Sequence, residues 1–227
     1  MAKLYAMGFG TMTQSTFAIL LGGALTPNPR LLAALSGARV IAADGGMRHA
    51  AALGVTPELW VGDFDSTSAE LLNEWPDVER MPYPAAKAAT DGEIAVAEAH
   101  ARGATRILLV GALGGERSDH ALQLYLSAIR LAEEGFDILL TSGEEEAMPL
   151  LPGEKRLDVP SGSLFSILGV TALDGLCIVN ARYPLNDFHL PFGSSRTVSN
   201  VANGPVDISL RSGKALILAR PFDFSGA

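Results

Sequence analysis

The sequence predicts an α/β protein: a doubly wound, mostly parallel sheet followed by a smaller antiparallel β-sandwich. Three observations carry that expectation. In the first two-thirds of the chain, short apolar runs alternate with amphipathic segments that begin on helix-start signals. Strands alternating with helices imply right-handed crossovers and a parallel sheet covered on both faces. Beyond about residue 150 the helical periodicity stops, and short strands recur between turn residues.

The apolar runs place strands at Phe17–Leu21, Arg39–Ala43, Leu59–Gly62, Val78–Met81, Arg106–Val110 and Asp137–Thr141. Asn28-Pro29 reads as a cap and first helical residue. Thr67 with Glu70, and Thr90 with Glu93, match capping boxes. Ser118 is placed to cap a further helix, on which Leu122, Tyr125, Ile129 and Ala132 follow helical spacing. Glu144-Glu145-Glu146 with Pro149, Pro152 and Gly153 reads as a linker, dividing the chain into residues 1–150 and 151–227. After it, Val206–Arg211 alternates strictly, and a Ser212-Gly213-Lys214 turn leads to Ala215–Leu218, as in a hairpin.

Composition excludes several classes. The chain has 227 residues and can bury a full core without staples. Cys177 is the one cysteine, so no intrachain disulfide forms, which fits a reducing, cytoplasmic setting. Cys177 itself, in an apolar run, reads as inert core. A net charge of −8 argues against a nucleic-acid partner, which needs basic stripes. No apolar stretch approaches the roughly 20 residues that span a bilayer, so no membrane association is expected. Lys3 and the interrupting glycines make a poor signal peptide. Glycine is the oddity: 24 residues, well above the roughly 7% of an average protein.

Those glycines fall where ligands bind in open parallel sheets, beyond the carboxyl ends of strands. Four strands run into Gly22-Gly23, Asp44-Gly45-Gly46, Asp63-Phe64-Asp65-Ser66 and Gly111 to Arg117 with Gly114-Gly115. Glycine there lets backbone N–H groups approach an anion, and helix N-termini favour negative charge, so a polyphosphate fits. The aspartates call for a cation between them and phosphate. On an extended segment Asp63 and Asp65 share one face, a seat for Mg²⁺, and Asp91 can add a third carboxylate. Lys87 and Arg117 can reach phosphate oxygens. Neither GxGxxG nor GxxxxGK[ST] occurs, so the site is a metal–nucleotide site of another lineage. The four histidines lack ligand spacing, and Trp60 and Trp75 read as packing residues.

In order, Ala43-Asp44-Gly45-Gly46, Gly62-Asp63-Phe64-Asp65-Ser66, Lys87-Ala88-Ala89-Thr90-Asp91 and Gly114-Gly115-Glu116-Arg117-Ser118-Asp119-His120 resemble the motifs of thiamine pyrophosphokinases. Tyr183-Pro184-Leu185, Leu190 to Gly193 and Ser199-Asn200 are similar to that family's thiamine-binding half. The resemblance implies transfer of diphosphate from ATP to the hydroxyl of thiamine with Mg²⁺, giving AMP and thiamine diphosphate. It implies metal-site carboxylates at Asp63, Asp65 and Asp91, with Arg117 beside the reacting phosphates. On the nucleotide side it implies Gly22, Gly23, Asp44, Gly45, Gly46, Lys87, Thr90, Gly114, Gly115 and Asp119. Around thiamine it implies Tyr183, Ser199 and Asn200, and it implies a homodimer with shared sites.

Three positions depart from the family pattern. Ala88 replaces an aspartate, removing one carboxylate from the metal neighbourhood; Met47-Arg48 replaces Ala-Asn; and Tyr183 replaces a tryptophan found in some members. Three alternatives stay open at this point: a thiamine- or nucleotide-binding module that lost catalysis with Ala88, a pterin pyrophosphokinase, and a glycosyltransferase using Asp63-x-Asp65.

Overall fold

A computed structural model describes residues 15–65, 67–84, 89–114 and 117–226. Six strands form the parallel part: β1 (Thr16–Leu20), β2 (Arg39–Ala43), β3 (Leu59–Gly62), β4 (Glu79–Pro82), β5 (Arg106–Val110) and β6 (Asp137–Thr141). Their spatial order is β6-β5-β1-β2-β3-β4, so the winding direction reverses between β1 and β5. Helices α1 (Pro29–Leu35), α2 (Ala50–Leu53), α3 (Ala69–Glu74), α4 (Asp91–Ala101) and α5 (Ser118–Glu133) make the crossovers, with a 3₁₀ turn at Asp44–His49.

The inner strands are apolar at nearly every position because both faces are covered, whereas the edge strand β4 is mostly exposed. Phe17, Ile19, Ile41, Val61 and Leu109 pack with Ala95 and Ala99 of α4 and Ala128 and Leu131 of α5. Ala18, Leu20, Ala42, Trp60 and Leu108 point the other way, onto Leu31 and Leu35 of α1 and Ala50 and Leu53 of α2. The doubly wound expectation holds, with β1 and β4 each shifted by one residue from the expected spans.

Helix caps follow local chemistry, with two corrections. Asn28 Oδ1 accepts Leu31 N–H at 2.9 Å, and Thr90 and Glu93 form the expected capping box. At α3, Ser68 rather than Thr67 is the cap, accepting Leu71 N–H at 3.2 Å. At α5, Arg117 holds the cap position, and Ser118 is the first helical residue without a capping bond. Leu122 is exposed, since the buried stripe of α5 starts later, at Ser127–Ile129 and Leu131.

The acidic run is not a linker. Glu146–Leu150 is a strand, β7, antiparallel to β6. Glu146 is buried and takes two hydrogen bonds from Arg30 of α1, at 2.6 and 2.9 Å. Beyond it come β8 (Gly153–Leu157), β9 (Leu164–Gly169), β10 (Leu173–Ala181), β11 (Leu185–Leu190), β12 (Asn200–Leu210) and β13 (Ala215–Arg220), all antiparallel. The expected hairpin is absent: β13 pairs with β7 and β9, whereas β12 pairs with β10 and β8. Only Asn200 and Val201 of β12 pair with β9, so this strand crosses from one layer of the sandwich to the other. Both strands bury apolar faces in one core, from opposite layers. Cys177 is half-buried on β10 and not enclosed in that core; Asp187 donates to its Sγ at 3.3 Å.

Gly46 shows how tightly the turn after β2 sits on β1. A Cβ there would lie 2.0 Å from the Leu20 carbonyl oxygen, inside van der Waals contact. Gly46→Ala should therefore destabilise the protein by about 2–3 kcal/mol, as overpacking against immovable backbone does. Urea unfolding followed by circular dichroism checks this, and a loss under about 0.5 kcal/mol, typical of a tolerated surface change, would contradict the packing account.

Candidate active site

At the reversal between β1 and β5 the crossovers diverge and leave a crevice above the strand ends. A cleft of about 690 Å³ opens there. Its walls include Gly22, Gly23, Asp44, Gly45, Thr90, Asp91, Gly114 and Arg117, eight of the residues expected from sequence. Asp63 and Asp65 stand at the tip of β3 and are not in that lining; Gly46 lies buried beneath it. Lys87 and Gly115 fall outside the described residues, as does Ala88.

The glycines bring backbone against backbone. Gly23 N–H donates to Gly111 O at 3.0 Å, and a Cβ on Gly23 would sit 2.3 Å from that oxygen. A Cβ on Gly111, itself at φ +73°, would meet Leu21 O at 2.5 Å. The Gly23 amide is thus unavailable to an anion, contrary to the expectation that these turns present N–H groups. The Gly22 and Gly23 carbonyls instead accept from Arg48, the latter at 3.3 Å. His49 Nε2 lies 3.0 Å from Gly23 O, and since a carbonyl only accepts, the Nε2–H tautomer is fixed. Burial, opposed by that bond and aided by the Arg48 charge, holds the His49 pKa below its ordinary value. Sequence reasoning gave neither residue a role; only the departure at Arg48 pointed there.

Asp44 is held in the left-handed region at φ 43°, with its carbonyl accepting Trp60 Nε1–H at 2.9 Å. Its Oδ1 is buried and has no hydrogen-bond partner, an acceptor awaiting a donor at the cleft. The Asp63–Asp65 segment is not extended. Phe64 takes φ 61°, and Asp63 Oδ1 accepts Asp65 N–H at 3.1 Å, so a turn presents the two carboxylates. Phe64 packs edge-on to Trp60, with centroids 5.1 Å apart, which holds that turn. Among the described residues no group of three or more His, Cys, Asp or Glu side chains gathers within reach of one metal ion.

Two helix N-termini face the cleft. Asp91 opens α4, behind the Thr90 cap. At α5 the Arg117 guanidinium makes a two-pronged pair with Asp119, Nε to Oδ1 at 2.9 Å and Nη2 to Oδ2 at 2.8 Å. Asp119 thereby aims Arg117. Gln123 and Ser127, on the same helix, also line the cleft, and no sequence signal singled them out.

The residues expected around thiamine, Tyr183, Ser199 and Asn200, lie on the antiparallel half and are not in this lining. Tyr183 is 53% exposed. Asn200 is buried and grips the Tyr183 backbone, Oδ1 accepting its N–H at 3.1 Å and Nδ2 donating to its carbonyl at 2.9 Å. Ser199, at φ 59°, donates its N–H to Ser166 Oγ at 3.0 Å. Asn200 therefore presents Tyr183.

Two family models match in succession. Residues 34–140 match the thiamin pyrophosphokinase catalytic domain, and residues 154–215 match the thiamin pyrophosphokinase vitamin B1 binding domain. The chain belongs to the thiamine pyrophosphokinase family. Its activity is that of the family, thiamine diphosphokinase. Solved structures agree on the fold. The Geobacillus thermodenitrificans thiamin pyrophosphokinase is 26% identical, covering 93% of this chain and 100% of that one at TM-score 0.78. The Bacillus subtilis enzyme is 24% identical over 92% and 100%, at TM-score 0.79. The Candida albicans enzyme, 12% identical over 91% and 90%, still reaches TM-score 0.73. Comparison with curated protein sequences found no match.

The Arg117 pair holds the Asp119 carboxyl well below the usual carboxylate range. A lowered folded-state pKa adds stability above the unfolded value, about 3.9, which is lost as pH falls through the folded value. Carboxyl NMR should show Asp119 still ionised below the pH at which a free aspartate protonates, and Arg117→Gln should return it towards the ordinary range. Titration of Asp119 at the free-aspartate value in the unaltered protein would refute the pairing.

Proposed function

We propose that the diphosphokinase reaction uses ATP as donor in the cleft at the β1–β5 reversal and depends on Mg²⁺. The observation that carries this is the convergence of Asp44, Thr90, Asp91 and Arg117 on that cleft, with Asp63 and Asp65 at the neighbouring strand tip. We also take residues 1–150 as the catalytic unit and 151–227 as the thiamine-binding unit, a division supported by the separate family matches.

The residues present fit magnesium. Mg²⁺ takes one or two carboxylates and completes its shell with water and substrate phosphates, so no all-protein cage is required. The turn at Asp63–Asp65 offers hard oxygen ligands of that kind, with Asp91 across the cleft. When bound, the ion would be held by the Asp63 and Asp65 carboxylates and would supply neutralisation of charge on the substrate phosphates. The protein's own part is positioning. Transfer to an alcohol needs in-line geometry and charge stabilisation more than a covalent intermediate. Arg117, aimed by Asp119 from the N-terminus of α5, meets charge that develops on phosphoryl oxygens. The α4 N-terminus behind Thr90 adds its dipole.

For thiamine, Tyr183 offers an exposed ring to a cationic heterocycle. It does not line the cleft of its own chain, so a homodimer with sites shared between subunits is the arrangement we favour. Exposed Phe192 and Val198 on the same half are the kind of surface a partner copy covers. No helix among the described residues is long and apolar enough to cross a membrane, and we place the reaction in the cytoplasm.

Protein incubated with ATP, Mg²⁺ and thiamine should form AMP and thiamine diphosphate in equal amounts. Asp63→Ala and Asp65→Ala should each cut kcat by at least about a hundredfold, the scale of losing a key electrostatic group. Formation of ADP, or no product, would refute the donor assignment, and full activity in both variants would refute the metal assignment.

Sedimentation should give twice the 23.8 kDa chain mass. Tyr183→Ala should raise the KM for thiamine about tenfold while leaving that for ATP alone, the worth of one desolvated stacking contact. A monomer that is fully active, or equal effects on both substrates, would refute the shared site.

A further inference from the structure

The Gly22-Gly23 turn at the reversal presents the wrong polarity to a polyphosphate. Gly23 N–H is bonded to Gly111 O, and the carbonyl oxygens of Gly22 and Gly23 point to the side where Arg48 and His49 stand. A pair of carbonyls at the edge of an anion site repels the ligand unless a cation covers them. Arg48 supplies that cover. Among the described residues its hydrogen bonds go to these carbonyls and not to a carboxylate, so they leave its charge in place. A guanidinium has five N–H donors in a planar fork, so donors remain beyond those used on the carbonyls. The side chain is exposed and lines the cleft. A Cβ on Gly45 would come within 3.4 Å of Arg48 Nη1, and on Gly22 within 4.0 Å, so the guanidinium lies against the turns after β1 and β2. His49 stands beside it, its Nε2–H directed to the Gly23 carbonyl, so its ring donor is spent on the same turn.

We propose that Arg48 is a donor-binding residue of this chain: its guanidinium covers the Gly22 and Gly23 carbonyls and presents its remaining N–H groups to the nucleotide polyphosphate. Arg117, the cap residue of α5, lines the same cleft, so the polyphosphate would meet guanidinium groups from the turn after β2 and from the start of α5. The inference rests on the ATP reading proposed above and assigns a role to a position where the chain departs from the family's Ala-Asn.

The test uses full-length protein with Arg48→Gln and Arg48→Lys, and Arg156→Gln, an exposed arginine on β8, as the charge-loss control. Thermal unfolding of each variant establishes that it is folded. Arg48→Gln should raise the KM for ATP and the Kd of a non-hydrolysable ATP analogue about tenfold, the scale of one charged hydrogen-bonding group. Arg48→Lys should recover part of that loss, and the KM for thiamine should stay unchanged. Raising ionic strength should weaken analogue binding by the unaltered protein more than by Arg48→Gln. Unchanged analogue affinity in Arg48→Gln overturns the proposal, as does an equal loss in Arg156→Gln. Analogue binding needs no turnover, so a protein inactive on thiamine would refute the reaction while still deciding the role of Arg48.

Discussion

Gly23 N–H donating to Gly111 O across the reversal point is the contact on which the site's geometry depends. It draws the turns after β1 and β5 together until neither tolerates a side chain. That closeness is why two glycine-bearing turns share one cleft, and it sets the polarity of its floor. Once the amide is bonded to a carbonyl, the positive groups must come from elsewhere: the arginines at 48 and 117 and the helix N-termini at 91 and 118. Packing of the fold and charge of the site are thus one constraint seen at two scales.

The chain carries −8, yet its product-side chemistry is anionic. Ion pairing takes up part of that acidity. Glu146, Asp119 and Glu58 are matched by Arg30, Arg117 and Arg39 in two-pronged pairs, so much of the acidity is locally offset. Such pairs at the surface add little stability individually. Their use here is directional: Arg30 ties α1 to β7, and Asp119 fixes where Arg117 points.

What was legible in the sequence was what is local or periodic. The parallel strands read correctly because burial on both faces leaves uninterrupted apolar runs, and the Asn28 and Thr90 caps because their partners lie three residues on. Glu146 was misread as linker because its partner, Arg30, is 116 residues away. The pairing of β12 and β13 failed for a related reason: alternation reports which face is buried, not which strand lies alongside. At the site, the coincidence of glycines and aspartates at strand tips located the cleft, although the glycines serve close backbone approach rather than amide donation. The places of Arg48, Gln123 and Ser127 in the cleft lining were not legible, since each depends on which turn or helix face the fold brings opposite.

Trp60 joins the two acidic turns. It is fully buried, its indole N–H holds the Asp44 carbonyl at 2.9 Å, and its ring meets Phe64 between Asp63 and Asp65. Asp44 and Phe64 both sit in the left-handed region, where a non-glycine residue costs about 1–2 kcal/mol. Burying one large aromatic contributes about 3 kcal/mol, enough to offset strain of that order. The core side chain therefore does more than fill space. It couples the Asp44 turn to the turn at the β3 tip, so that the spacing of these aspartates is set by the hydrophobic core rather than by loops.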